Sequence, residues 1–163
     1  EIKMVKLSEF LSDESKKDLI LGQVKVGDVF RMHLGKEEKV VGKDTSDDGR
    51  NKYFIIIGFD VDGSAIGLVL IDTKINPYLP QVRKELHYKL SADNYEFLNG
   101  KSRYVDCSDL KEISSTKFVF LFSGDKAKGH INDDDLKLIR DAIVSYEDAE
   151  PKLLKKFGLI RTR

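Results

Sequence analysis

Four residues flanking one apolar hairpin carry groups that could do chemistry: Arg50 and Lys52 before it, Asp72 and Thr73 after it. Between them lie two apolar, β-favouring runs, Tyr53 to Phe59 and Ser64 to Ile71, joined through Asp60-Val61-Asp62-Gly63. Gly63 can take the positive φ that a tight turn needs, at little steric cost. The pattern predicts a hairpin buried on both faces for much of its length. The two ends of an antiparallel hairpin lie side by side. A rigid ribbon then presents cations beside a hydroxyl and a carboxylate, the groups of charge stabilisation and proton transfer.

The elements that must hold this ribbon follow from the rest of the chain. At 163 residues with 40% apolar content, six Tyr and nine Phe, one domain with a sizeable core is expected. It divides into an N-terminal helical extension (1–24), a β-barrel core (25–131) and C-terminal helices (132–163). Lys plus Arg equals Asp plus Glu at 28 each, so bulk charge points to neither nucleic acid nor membrane, although a local cleft can still be basic. The single cysteine, Cys107, rules out an internal disulfide and favours a reducing cytoplasm. No apolar run approaches the roughly 18–20 residues of a membrane helix, and none reads as a signal peptide.

Along the chain, residues 5–21 read as weakly helical, with Leu7, Phe10 and Leu11 in one cluster and Ser12 and Asp13 as caps before Leu19 to Leu21. Asp28 to Leu34 is a strand after the Gly27 turn. Residues 35–51 form a long loop with nearly balanced charge. Residues 74–84, with Pro77 and Pro80, are irregular. Leu86, Tyr88 and Leu90 alternate with polar residues as a half-buried strand. Ser91 to Asn99 reads as a helical turn closed by Gly100, Ser102 to Cys107 as a short strand and Lys117 to Phe122 as an apolar one. Then the period changes. Asn132 caps a helix whose first turn holds Asp133, Asp134 and Asp135, and whose Leu136, Ile139, Ile143 and Tyr146 share a face. Pro151 starts a short last helix and Gly158 stops it. Short strands followed by a packing helix suggest an α+β fold around a small, curved sheet or barrel.

The order of these pieces resembles the MazF/PemK family of bacterial toxins, within the CcdB-like barrel group, over about residues 25–146. The matching stretches are Gly27-Asp28-Val29-Phe30, Gly49 to Ile57, Val69 to Thr73, Tyr104-Val105-Asp106-Cys107-Ser108, and Gly129-His130-Ile131 with the helix that follows. The family's Arg-Pro is replaced by Lys52-Tyr53, with Arg50 two residues earlier and so on the same face of an extended segment. The proline before the family's threonine is also missing. The resemblance implies a small antiparallel SH3-like barrel of five to seven strands with the 132–146 helix packed on it. Leu136, Ile139, Ile143, Ile55, Ile57, Leu68 and Leu70 are then expected to be buried.

The resemblance further implies a metal-independent endoribonuclease acting on single-stranded RNA, with no cofactor, the toxin of a type II toxin–antitoxin pair. It implies a cytoplasmic homodimer, an antitoxin protein as partner, and no membrane. Arg50 or Lys52 would neutralise the crowded phosphorus centre, Thr73 would bond a phosphoryl oxygen, and Asp106 or Asp72 would serve as base. Tyr53, Asp72, Lys36, Lys39 and Lys43 would line the RNA path, with bases stacked on Tyr53 and the 35–51 loop as one wall. All four catalytic candidates are expected to converge in one cleft.

Plainer roles stand beside these. Arg50 and Lys52 could be solvated strand ends, Thr73 and Asp72 turn formers, and Asp106 the cap of the Ser108 turn. His33, His87 and His130 lack metal-ligand spacing, and His33 and His87 alternate outward as surface residues. Cys107 reads as core rather than nucleophile. The basic tail with Lys152, Lys155, Lys156, Arg161 and Arg163 reads as a solvated face. The alternative function is a non-catalytic barrel binding protein or nucleic acid. A gyrase-poisoning mode, as in the CcdB branch, finds no clear match at Phe157 to Arg161.

Overall fold

The computed structural model describes residues 12–42, 48–122, 124 and 126–159. Leu7, Phe10, Leu11, Lys43, Arg161 and Arg163 lie outside them. The central hairpin forms where the sequence places it, from strand β2 (Arg50–Phe59) and strand β3 (Ala65–Asp72). Its turn is closed by Gly63 N–H donating to the Asp60 carbonyl at 2.9 Å, with Gly63 at φ 75°. A side chain at Gly63 would meet nothing, so the positive φ, not space, is what calls for glycine here.

Strand β1 (Asp28–Leu34) pairs with β2, and β7 (Gly129–His130) closes that side. On the other side β3 is shared. Its first half pairs with β6 (Lys111–Ser114), and its last two residues pair with β5 (Arg103–Asp106), which carries β4 (His87–Leu90). All these pairings are antiparallel, in the order β4-β5-β3-β2-β1-β7 with β6 beside β3. The result is an α+β fold built on a curled, barrel-like sheet.

Alternation along the hairpin separates two cores. Ile55, Ile57, Val69 and Ile71 face one, with Val29, Leu90, Val105, Cys107 and Leu159. Phe54, Ile56, Ile66 and Leu68 face the other, with Phe30, Leu34, Ile113 and Phe118. Register slips between Ile56 and Gly58, inserting Ile57 as an extra residue. The Ile57 carbonyl accepts from Arg140 Nη1 at 3.0 Å.

Helices cover both faces. Helix α1 (Asp13–Leu21) is capped by Ser12, whose Oγ accepts from Ser15 N–H. Helix α2 (Gln81–Lys84) is a single turn inside the segment expected to be irregular. Helix α3 (Ser115–Leu121) replaces the strand expected at Lys117 to Phe122. A short apolar run does not reveal its own period. Here Ser114 Oγ accepts from Lys117 N–H and caps a helix that seats Phe118 fully in the second core.

Helix α4 (Asp133–Ser145) packs Ile139 and Ile143 on the first core, capped by Asn132. Its Asp135 also accepts hydrogen bonds from the Tyr88 and Tyr95 hydroxyls, a tie to the sheet side that a helix-terminus role alone does not explain. Leu136 and Leu70, expected to be buried, are half-buried; the other five expected core residues are buried. Helix α5 (Pro151–Lys156) ends at Phe157, whose ring and backbone lie against Gly67 and Gly58. Among the described residues no helix is long and apolar enough to cross a membrane.

Candidate functional site

The open end of the hairpin forms the floor of a cleft of about 1250 Å³. Arg50, Lys52, Thr73 and Asp106 all line it, as do Tyr53 and Asp72. Register explains the convergence. Tyr53 opposes Ile71, which sets Lys52 and Asp72 beside each other, and Ile71 opposes Val105, which brings Asp106 to the same end.

Lys36, Lys39 and Lys43 take no described part in this cleft. Lys36 sits in the 3-10 turn Lys36–Glu38, where Glu38 caps the Gly35 N–H and meets Lys117 of α3 at 2.5 Å. The Lys39 carbonyl accepts from Lys111 Nζ at 3.2 Å. These bonds pin the start of the 35–51 segment to β6 and α3. Lys43 lies outside the described residues. Among the described residues, the 35–51 segment lines the cleft only with Arg50 and Asn51, and a wall comes from residues 74–79, including Lys74, Pro77 and Tyr78.

Five further cations, none singled out from sequence, complete the lining: Arg31, Lys74, Arg83, Arg103 and Lys128. Among the described residues, with Arg50 and Lys52 they make seven basic side chains against two acidic ones, Asp72 and Asp106. In a chain of formal net charge zero, that is a strong local positive field. Arg31 is the cross-strand neighbour of Tyr53, and its guanidinium lies 5.7 Å from the Tyr53 ring centroid; that of Arg103 lies 5.2 Å away. Tyr53 also packs near Phe97, at 6.4 Å between centroids. The Tyr53 ring, expected to stack bases, is already engaged. Among the described residues, the exposed aromatic in the cleft is Tyr78.

The cations and carboxylates are partly paired. Lys52 Nζ lies 2.5 Å from Asp72 Oδ1. Asp106 Oδ1 accepts from both the N–H and the Oγ of Ser108, at 3.0 and 2.6 Å, so the capping role read from sequence is present. Arg83 Nη2 reaches Asp106 Oδ2 at 3.5 Å, while Arg83 Nε donates to Ser108 Oγ at 2.8 Å.

His87 departs most from expectation. Read as a surface residue, its side chain is 2% exposed and lines the cleft. It is the register partner of Asp106 across β4 and β5, with Nε2 3.7 Å from Asp106 Oδ1. Helix α2 ends just before β4, and its Arg83 carbonyl lies 2.8 Å from His87 Nδ1, which ties the ring down. No local sequence signal marks this. It follows from the β4–β5 register, and Asp106 was the visible half of the pair. His33 and His130 are exposed, as expected for His33. Cys107 is buried, its thiol pushed up to about 12 by burial and by the Asp106 charge. That fits core packing rather than a nucleophile.

Asp72, His87 and Asp106 place one possible ligand atom each within 4.8 Å of one another, close enough to share an ion. Lys52 and Arg83 already bring positive charge to the two carboxylates, and an ion there would compete with both. Chemically the cleft suits an anion held by several cations beside groups able to move a proton. No protein-family model matches the chain, and no curated protein matches its sequence.

Proposed function

We propose that this cleft binds single-stranded RNA and cleaves it without a metal ion, as the toxin of a type II toxin–antitoxin pair of the MazF/PemK kind. The carrying observation is the gathering of seven basic side chains at the open end of the hairpin in a chain with no net charge. A phosphodiester satisfies such a field better than a small neutral ligand does. In this reading Arg50, exposed at the end of the ribbon, takes the phosphate first. Lys52 turns from Asp72 to the phosphorus centre, and Thr73 donates to a phosphoryl oxygen. An antitoxin with an acidic disordered segment would compete for the same cations, and a two-fold dimer would extend the RNA path across two copies.

The test is incubation of the full chain with single-stranded RNA in EDTA. Fragments ending in 2′,3′-cyclic phosphate support the reading; intact RNA ends it. Light scattering on the same sample reports whether the chain is a dimer.

A second reading has its own support. Lys52 is held by Asp72, and the Asp106 oxygens are held by Ser108 and Arg83. A site whose reactive groups neutralise one another suits a module that binds RNA and leaves it whole. Salt-sensitive binding without products would select it.

A further inference from the structure

We infer that His87, not Asp106, takes the proton from the RNA 2′-hydroxyl. The inference rests on the nuclease reading and deepens it.

The ring is held in one sense. His87 Nδ1 lies 2.8 Å from the carbonyl oxygen of Arg83. A carbonyl only accepts, so Nδ1 carries the proton, and in the neutral ring Nε2 is bare. Nε2 points to the side where Asp106 Oδ1 lies at 3.7 Å and the Asp72 carboxylate falls within the same 4.8 Å cluster. When Nε2 gains a proton, the imidazolium therefore lies 3.7 Å from the Asp106 carboxylate, with Asp72 in the same cluster. That arrangement stabilises the charge the base acquires.

Asp106 is placed to stabilise the imidazolium, not to accept the proton. Its Oδ1 already receives two hydrogen bonds from Ser108, and its Oδ2 faces the Arg83 guanidinium. Arg83 thus holds both members of the pair, His87 through its carbonyl and Asp106 through its side chain. Because the His87 side chain is 2% exposed, the hydroxyl reaches Nε2 only after a phosphate has drawn Lys52 and Arg83 toward itself and loosened the carboxylates in front of the ring.

The step balances without a further reagent. Nε2 takes the 2′-hydroxyl proton, the 2′-oxygen bonds to phosphorus, and the phosphorus–O5′ bond breaks. Its electron pair stays on O5′, which takes a proton from water in the open cleft, and the imidazolium returns its proton to solvent. The products are a 2′,3′-cyclic phosphate and a 5′-hydroxyl.

The test compares single-turnover cleavage in EDTA by the parent, His87→Asn and Asp106→Asn, with RNA affinity measured alongside. The asparagine amide can still donate to the Arg83 carbonyl, so His87→Asn keeps the structural bond and loses only the base. The expected result is a loss of about a hundred- to ten-thousandfold in rate, unchanged RNA affinity, and a smaller loss for Asp106→Asn. Nitrogen-15 NMR of the parent should find the neutral-ring proton on Nδ1. A His87→Asn variant cutting at the parental rate, or a neutral ring protonated at Nε2, overturns the assignment and leaves the nuclease reading intact. A parent that binds RNA and never cuts it overturns both.

Discussion

Lys52 and Asp72 hold each other across the open end of the hairpin, Nζ to Oδ1 at 2.5 Å, with side chains 17% and 25% exposed. An ammonium so engaged is on loan to the protein and must be released to serve a phosphate. Asp72→Asn removes the competitor. RNA binding is then expected to tighten, with the dependence of log affinity on log salt nearly unchanged, because Lys52 makes the same phosphate contact in both complexes. Arg50→Ala combined with Lys52→Ala should flatten the same slope by about 1.4. It should also slow cleavage roughly a hundred- to a thousandfold. Fluorescence anisotropy over a salt series measures affinities and slopes, and an Asp72→Asn protein binding no tighter than the parent would refute the exchange.

Tyr78 is 92% exposed on the wall of the cleft, and its N–H donates to Asn76 Oδ1 at 2.9 Å in a segment braced by Pro77 and Pro80. A fixed, solvent-facing aromatic beside cations suits an unpaired base. Tyr78→Ala is expected to weaken RNA binding by about 1–3 kcal/mol, and Tyr78→Phe to leave it nearly unchanged. Its melting temperature should not move, since the ring touches no core.

Gly67 and Gly58 leave room for Phe157. A Cβ at Gly67 would stand 2.6 Å from the Phe157 ring, and one at Gly58 would stand 2.5 Å from the Phe157 carbonyl oxygen. Gly67→Ala is expected to destabilise the fold by about 1–3 kcal/mol through overpacking. In a Phe157→Ala background the same substitution should cost little, because the Cγ and Cδ atoms that the new Cβ meets are gone. Gly58→Ala should cost more and keep its cost in that background, since backbone is in the way. Urea denaturation of the single and double variants decides between these outcomes.

Stability should fall at alkaline pH. Tyr88 is raised from 10.0 to about 12 by burial and by its bond to Asp135, and Tyr95 is raised further for the same reasons. Cys107 is raised from 9.0 to about 12. Groups with raised folded-state values bind protons more tightly when folded. Their contribution is whole below the unfolded values and is lost as pH climbs through the folded ones. Unfolding midpoints should hold to about pH 9, then decline toward pH 12. Replacing Tyr88 and Tyr95 with Phe should flatten the decline above pH 10. Alkylation of Cys107 at pH 8 should proceed only as fast as the protein unfolds.

Much of this was legible in sequence because it is local. The hairpin follows from two β-branched runs and Gly63, and helix α4 from Asn132 and the spacing of Ile139 and Ile143. Arg50, Lys52, Asp72 and Thr73 flank the hairpin, so they could be placed together from chain order alone. Arg31, Arg103 and His87 reach the cleft through cross-strand register, which residue type does not encode. Lys117 to Phe122 misled because a short apolar run serves a strand or a helix equally, and a single serine cap decided for the helix. Lys36 and Lys39 are expected on the RNA path as part of the 35–51 loop, whereas the buried Glu38 pins their segment to β6 and α3.

The hairpin is the common wall of two cores, and this bears on lifetimes. Amides along 54–57 and 66–69 lie between apolar layers on both sides. Either layer can loosen while the other still shields them, so their exchange with solvent waits for the whole fold to open. The cleft is built on the end of that same ribbon. Of its cations, Arg50 and Lys52 stand on that ribbon, whereas Lys74 and Arg83 stand on the 74–79 wall and on α2, where side chains can rearrange without opening either core.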